Sequence, residues 1–309
     1  MAKKIAELFG YSPADSSAAA KQARKKEICP FLGGECIKKI GAKGNRIRSG
    51  VCSLLDADET PVIICPIRLY ANNYQILGDI AAVAFKTPAE LHPGRTAKDA
   101  KATAGVARVA VFGKNWGGEL RIPNRGKAKG SSKKRAGTYF VDWVLAKLDS
   151  SGKLDEFVAL EVQSIDTIGS YRDERAAHLA GKPFNGKTAG LNWENVNKRI
   201  LPQLIFKGHL LQREPRCKSG LFFVCPEAVY HKIMERLGGS LADYPMQAGS
   251  LTFFWYKLDP QITGIPRELV ASGHSTTSVH QVELAFSAAT NLPAGGAYEL
   301  AIKAALGES

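Results

Sequence analysis

The sequence has no apolar run reaching the roughly 18 residues of a transmembrane helix, so membrane insertion is not expected. It also lacks a charged-then-apolar leader, which makes the cytoplasm the expected location. No repeat recurs at the periods of roughly 20 to 50 residues that mark solenoids and propellers. There is no GxxxxGK[ST] loop to cradle phosphate and no nucleophile-plus-base pattern, which sets aside P-loop and triad chemistry. The paired CxxC knuckles of an ordinary zinc site are missing too. Acidic side chains are in short supply: 29 Asp and Glu face 42 Lys and Arg, a net charge of +13. That imbalance favours a polyanionic partner, and nucleic acid is the expected one.

What remains is ordinary for a folded protein. At 309 residues with 45% hydrophobic and 23% charged side chains, the chain can bury a sizeable core. We divide it into residues 1–75, where cysteines and glycines concentrate, and residues 76–309, where strand-like and helix-like runs alternate. KKIAELFGY reads as a short helix stopped by Gly10.

The stretch TYFVDWVLAKLDSSGKLDEFVALEVQSI, residues 138–165, organises the second part. Two runs rich in Val, Leu, Phe and Tyr flank the turn-forming DSSGK, which predicts an antiparallel hairpin. With Ser151 and Gly152 as a two-residue loop, Asp142 lies opposite Glu161, their side chains about 5 Å apart on one face. Gln163 shares that face, while Leu160 and Val162 point the other way. Two facing carboxylates in an apolar sheet need a compensating cation, and a divalent metal would supply it. The bland alternative puts one carboxylate at a solvated strand end or uses a bulge to separate the pair. A carboxylate, a strand reversal and Glu-x-Gln is how the PD-(D/E)xK nuclease core writes its site, with Gln163 where Lys is commoner. Glu119, in the GGEL turn just upstream, is either a third acid near the metal or a surface carboxylate.

Cys29, Cys36, Cys52 and Cys65 fall among many glycines. In a cytoplasmic chain such a cluster more often ligates metal than forms disulfides, and four thiolates suit tetrahedral zinc or iron. Four inert buried thiols are the alternative. Cys217 and Cys225 stand apart, Cys225 as a buried strand residue. The segment RIPNRGKAKGSSKKR, residues 121–135, carries seven basic side chains and no acid, either as a solvated loop or as a phosphate-contacting one. Downstream, LNWENVNKRILPQLIFKGHLLQRE fits an amphipathic helix bent near Pro202 and covering the sheet. Asn192, Asn195, Lys198 and Arg199 near its start are a solvated face or a DNA contact. LFFVC and LTFFWYKLD read as strands, PEAVYHKIMERL and AYELAIKAAL as helices.

Taken in order, CPF, C, GVC and CP, then GGEL, then VDW and LEVQSIDTIGSY, then NVNKR, Q and KG resemble the NotI-type restriction endonucleases over most of the chain. The resemblance implies an α/β fold: a PD-(D/E)xK nuclease core with a mixed β-sheet flanked by helices and a small N-terminal four-cysteine metal-binding subdomain. It implies a homodimeric bacterial enzyme making Mg²⁺-dependent double-strand cuts at a GC-rich palindrome. By motif match, Asp142 and Glu161 are the Mg²⁺-binding acids, Gln163 the polar third residue and Glu119 an additional acid. Cys29, Cys36, Cys52 and Cys65 become iron ligands, with zinc as the alternative. A repair or transposon nuclease using the same core, and a non-catalytic DNA-binding protein with a metal knuckle, are the other functions this sequence allows.

Overall fold

The computed structural model describes residues 4–101, 103–114, 116–122, 139–239, 241–288, 292 and 294–307. Most of the predicted basic loop, residues 123–135, lies outside the described residues. The fold is mixed α/β, with a large central mixed sheet flanked by helices.

The N-terminal part is built on β1 (Ile5–Leu8), α1 (Ala18–Lys25), β2 (Val51–Leu55) and β3 (Pro61–Ile63). β1, β2 and β3 form an antiparallel sheet in that order. The expected helix at KKIAELFGY is thus a strand. Ile5, Ala6, Glu7 and Leu8 are all buried, so β1 has no polar face to advertise a two-residue period. Its one charge, Glu7, accepts a 2.7 Å hydrogen bond from Ser53 Oγ and lies 3.5 Å from Arg68 Nε. Gly10, at φ +83°, does end the element, and a Cβ there would stand 2.5 Å from the Pro30 ring.

The second part follows as α2 (Ala71–Phe85), β4 (Ala89–Pro93), β5 (Ala107–Gly113), β6 (Trp143–Leu148) and β7 (Leu154–Val162). α3 (Arg172–Leu179), α4 (Leu201–Leu211), β8 (Leu221–Pro226) and α5 (Glu227–Arg236) come next. β9 (Ser250–Leu258), β10 (Leu269–Ser278), α6 (Val279–Ser287) and α7 (Ala297–Leu306) complete it. The central sheet runs β10-β9-β8-β7-β6-β5-β4. β7, β8 and β9 are mutually parallel, as are β4 and β5, and the remaining neighbours are antiparallel.

The sheet separates two apolar cores. Leu160 and Val162 of β7 join Phe222, Val224 and the α2 residues Ile76, Leu77 and Ile80 on one side. Ala159 joins Phe223, Leu201, Leu204 and Val229 on the other, together with N-terminal residues such as Leu8 and Leu54. The first residues of α2 are unusual: Asn72, Asn73 and Tyr74 are all left-handed, at φ 55°, 55° and 61°. Left-handed non-glycine residues each cost roughly 1–2 kcal/mol. Packing offsets this cost, since the Tyr74 ring lies 5.4 Å from Trp143 and 5.8 Å from Trp116. Trp143 Nε1 also donates to the Tyr70 hydroxyl at 3.2 Å, fixing the backbone from which Asp142 projects.

Candidate active site and cysteine cavity

The β6–β7 hairpin forms with the expected register, but by another turn. From Trp143 opposite Leu160 to Lys147 opposite Glu156 the pairing is the one a two-residue loop would give. The chain turns instead through a wider loop, in which Asp149 N donates to Lys153 O at 2.8 Å and Gly152 takes φ +80°. A bulge where Leu148 meets Leu154 restores the register. One residue beyond Trp143, Asp142 comes opposite Glu161. Val162 N donates to Asp142 Oδ2 at 2.9 Å, and the Asp142 backbone N–H donates to the Glu161 carboxylate.

Asp142, Glu161 and Gln163 line one cleft of about 500 Å³. Glu161 is 3% exposed, whereas Asp142, though crowded by protein atoms, stays open to solvent. Burial, then the charge of Asp142, pushes the Glu161 carboxyl up to about 7. Asp142 is raised by burial and by the charge of Glu119, against the opposing pull of the Val162 N–H and Lys207. Glu119 itself is exposed and does not line the cleft, so it acts on the acid pair only through its field.

The compensating cation at the acid pair is a side chain: Lys207 Nζ of α4 lies 2.6 Å from Glu161 Oε1 and is only 13% exposed. A side-chain cation therefore stands at the acid pair for which the sequence suggests a divalent metal. Lys207 belongs to a stripe that falls within the NVNKR, Q and KG residues noted in the sequence, where it carried no assignment to the acid pair. Asn195, Arg199, Gln203 and Lys207, four residues apart, all line the cleft. The stripe faces the chain that continues from β7. Gln203 Oε1 accepts from Gln163 Nε2 at 3.4 Å, and Arg199 and Asn195 bind Asp166 Oδ2 at 2.8 and 2.7 Å. Lys198 pairs with Glu194 and Asn192 does not line the cleft, so that predicted group of four is only half brought to the site. A π turn over Val196–Ile200 precedes α4, at the bend expected near Pro202. Pro202 has no N–H to continue the α-helical ladder there.

The four N-terminal cysteines are all buried and all line a second, enclosed cavity of about 10 Å³. That is close to the space of a single water-sized sphere. Burial raises the thiols of Cys29, Cys52 and Cys65, and each is raised further by another cysteine of the set. The guanidinium of Arg68 opposes this at Cys29 and Cys52. Arg68 lines the cavity, is wholly buried with its guanidinium 4.0 Å from the centre of the Phe31 ring, and leaves Nη1 without a hydrogen-bond partner. A buried cation with an idle donor beside four thiols suits a centre that carries negative charge once the thiols ionise. Among the described residues no group of three or more His, Cys, Asp and Glu side chains is placed so that it could hold a metal ion. Burial favours the neutral thiol at Cys29, Cys52 and Cys65, and the acid pair offers two carboxylates, a number sufficient for Mg²⁺, which keeps several waters. Cys217 and Cys225 are buried elsewhere, with burial pushing Cys217 up to about 12.

The cavity and the cleft share a wall. Lys38 lines both, donating from Nζ to Ile64 O at 2.8 Å, and Ile64 and Pro66 flank Cys65 on the cleft side. Among the described residues no helix is long and apolar enough to cross a membrane. No protein-family model matches the chain, and no curated protein matches it.

Proposed function

We propose that the protein is a type II restriction endonuclease of the PD-(D/E)xK kind, making Mg²⁺-dependent cuts in both strands at a GC-rich palindromic site as a homodimer. The observation that carries this reading is the pairing of Asp142 and Glu161 across β6 and β7 in a cleft that also holds Gln163. Two oxygen-donor acids, one open to solvent and one held near half-protonation at neutral pH, are suited to a hard divalent cation. The net charge of +13 supplies the attraction for DNA.

Asp142 and Glu161 would hold Mg²⁺, which supplies positive charge for the scissile phosphate and an acidified water. The Val162 N–H fixes Asp142, and the Asp142 N–H fixes Glu161, so each acid is oriented by the backbone of the other strand. The Gln163 amide can accept from and donate to the attacking water, which orients it for in-line displacement. Glu119 adds negative potential at Asp142 without entering the cleft. Cys29, Cys36, Cys52 and Cys65 would hold an iron ion, or zinc in its place, as a folding element whose surface forms the Lys38 and Pro66 wall of the cleft.

The test is digestion of a GC-rich plasmid with the purified protein in Mg²⁺ and in chelator, followed by sequencing of the ends. Discrete fragments with ends at one palindrome, formed in Mg²⁺ alone, are expected. Intact plasmid, or ends scattered over the sequence, would overturn the reading.

A further inference from the structure

The cations around the cleft differ in what they hold. Lys38 is engaged by the Ile64 carbonyl, and Arg199 by Asp166 at 2.8 Å. Lys207 alone of these three is drawn onto the acid pair itself, at 2.6 Å from Glu161, with Asp142 within reach of its field. A bound divalent cation and an ammonium group cannot both claim the same Glu161 oxygen without strong like-charge repulsion. The Lys207 side chain also has room to leave. It lines a 500 Å³ cleft, and its stem has freely rotating bonds, so its head can move away from Glu161 while α4 stays packed through Leu201, Leu204 and Leu211. The position it would swing toward is the cleft interior, where a phosphodiester backbone would bring negative oxygens. Gln163, which also lines the cleft, carries no charge to meet them.

We propose that Lys207 is the resident counter-ion of the acid pair, releasing Glu161 when a divalent cation enters and turning to a non-bridging oxygen of the scissile phosphate. This rests on the nuclease reading above, but half of it, the competition with the cation, does not need turnover. Lys207 therefore works in opposite directions on two quantities. It weakens the divalent ion in the free protein, and it speeds cleavage once DNA is bound.

The full-length protein, Lys207→Met and Lys207→Arg are compared in two measurements, after circular dichroism and thermal melts establish that each is folded. The first is Mn²⁺ binding without DNA, followed by calorimetry. Lys207→Met should bind about tenfold more tightly than wild type, because an ammonium group against the ligand oxygen has been removed. Lys207→Arg should stay near wild type. The second is single-turnover cleavage at saturating Mg²⁺, where Lys207→Met should be slowed about 100-fold and Lys207→Arg should recover most of the rate. A structural role for Lys207 would weaken Mn²⁺ binding and cleavage together, and that result overturns the proposal. Unchanged Mn²⁺ affinity in Lys207→Met overturns it as well, as does absence of Mn²⁺ binding at this cleft in wild type. If wild type binds Mn²⁺, Lys207→Met binds it more tightly and neither cuts DNA, the counter-ion half stands and the nuclease reading falls, taking the phosphate half with it.

Discussion

The acid cleft and the cysteine cavity confront the same difficulty with different means. Each gathers like-charged or potentially like-charged groups where burial penalises ionisation. The cleft, about 500 Å³, answers with Lys207 held against Glu161, and it keeps Asp142 open to solvent. In the cavity, about 10 Å³, burial raises the thiols of Cys29, Cys52 and Cys65, with Arg68 as a fixed neighbouring charge. An open site with a mobile counter-ion can exchange ligands and do chemistry. A closed one with a buried, immobile counter-ion is suited to holding one ion for the life of the fold. Their shared wall at Lys38 means that the closed site shapes the open one.

The largest effect expected from breaking this division is at Glu161. Glu161→Ala removes the carboxylate nearest Lys207, and cleavage should fall by at least about 10³-fold while specific DNA binding in Ca²⁺ persists. Normal turnover in Mg²⁺ would remove Glu161 from the site. On the cysteine side, Cys29→Ser, Cys36→Ser, Cys52→Ser and Cys65→Ser should each strip stoichiometric iron or zinc and cost about 3 kcal/mol or more in chemical denaturation. Cys217→Ser and Cys225→Ser should leave metal content alone, because neither lines the cavity. Elemental analysis of protein purified without added metal decides the matter, and equal metal content in all six variants would refute the assignment.

A third test sharpens the contrast through pH. Glu161 binds its proton more tightly in the folded chain, near 7, than in the unfolded one, near the ordinary 4.5. Its contribution is therefore fully present below the ordinary value and is lost as pH rises through about 7. Between those limits the metal-free protein should lose up to about 3 kcal/mol from this group, which is small enough to measure by urea denaturation across the range. Millimolar Mg²⁺ should restore most of that loss at pH 8 if, as proposed, the cation binds the ionised acid pair. A flat profile in chelator would mean that Lys207 already compensates Glu161 in full.

Much of the cleft was legible because period-two alternation and turn chemistry act locally. Asp142, Glu161 and Gln163 come together as expected, with Leu160 and Val162 facing the opposite core. DSSGK predicts a two-residue loop and the chain takes a wider one, yet the register holds, because the bulge between Lys147 and Leu148 cancels the extra loop residue. KKIAELFGY suggests a helix because a strand buried on both faces, as β1 is, shows no alternation. β10 and α6 drew no expectation at all: LVASGHSTTS has too few apolar residues to announce a strand, and it finds its place by pairing along β9. Lys207 stands in the KG pair noted in the sequence, but its contact with Glu161 is not legible there because the two lie 46 residues apart, and only packing of α4 brings them together. A signal was present in the four-residue spacing of Asn195, Arg199, Gln203 and Lys207, which puts four polar residues on one face of the segment that leads into and forms α4.

The smallest expected effect is at Gln163, and it bears on how labour is divided within the cleft. Its backbone N–H is engaged by Val224 O at 2.9 Å, so the main chain at this position is fixed by β8 whatever the side chain. The side chain reaches only Gln203, at 3.4 Å, a contact that a neighbouring water could replace. Gln163→Ala should therefore fold normally, bind Mn²⁺ as wild type does, and cut about tenfold more slowly, the share of a single neutral water-orienting hydrogen bond. Gln163→Lys is the more informative partner. If Lys207 provides the positive charge of the site, a second ammonium two residues from Glu161 adds repulsion against the incoming cation and should weaken Mn²⁺ binding. In a Lys207→Met background the same substitution should instead restore part of the lost rate. Should Gln163→Lys accelerate cleavage with Lys207 intact, the site lacks the charge assigned to Lys207, and the contrast between a mobile and a fixed counter-ion loses its open half.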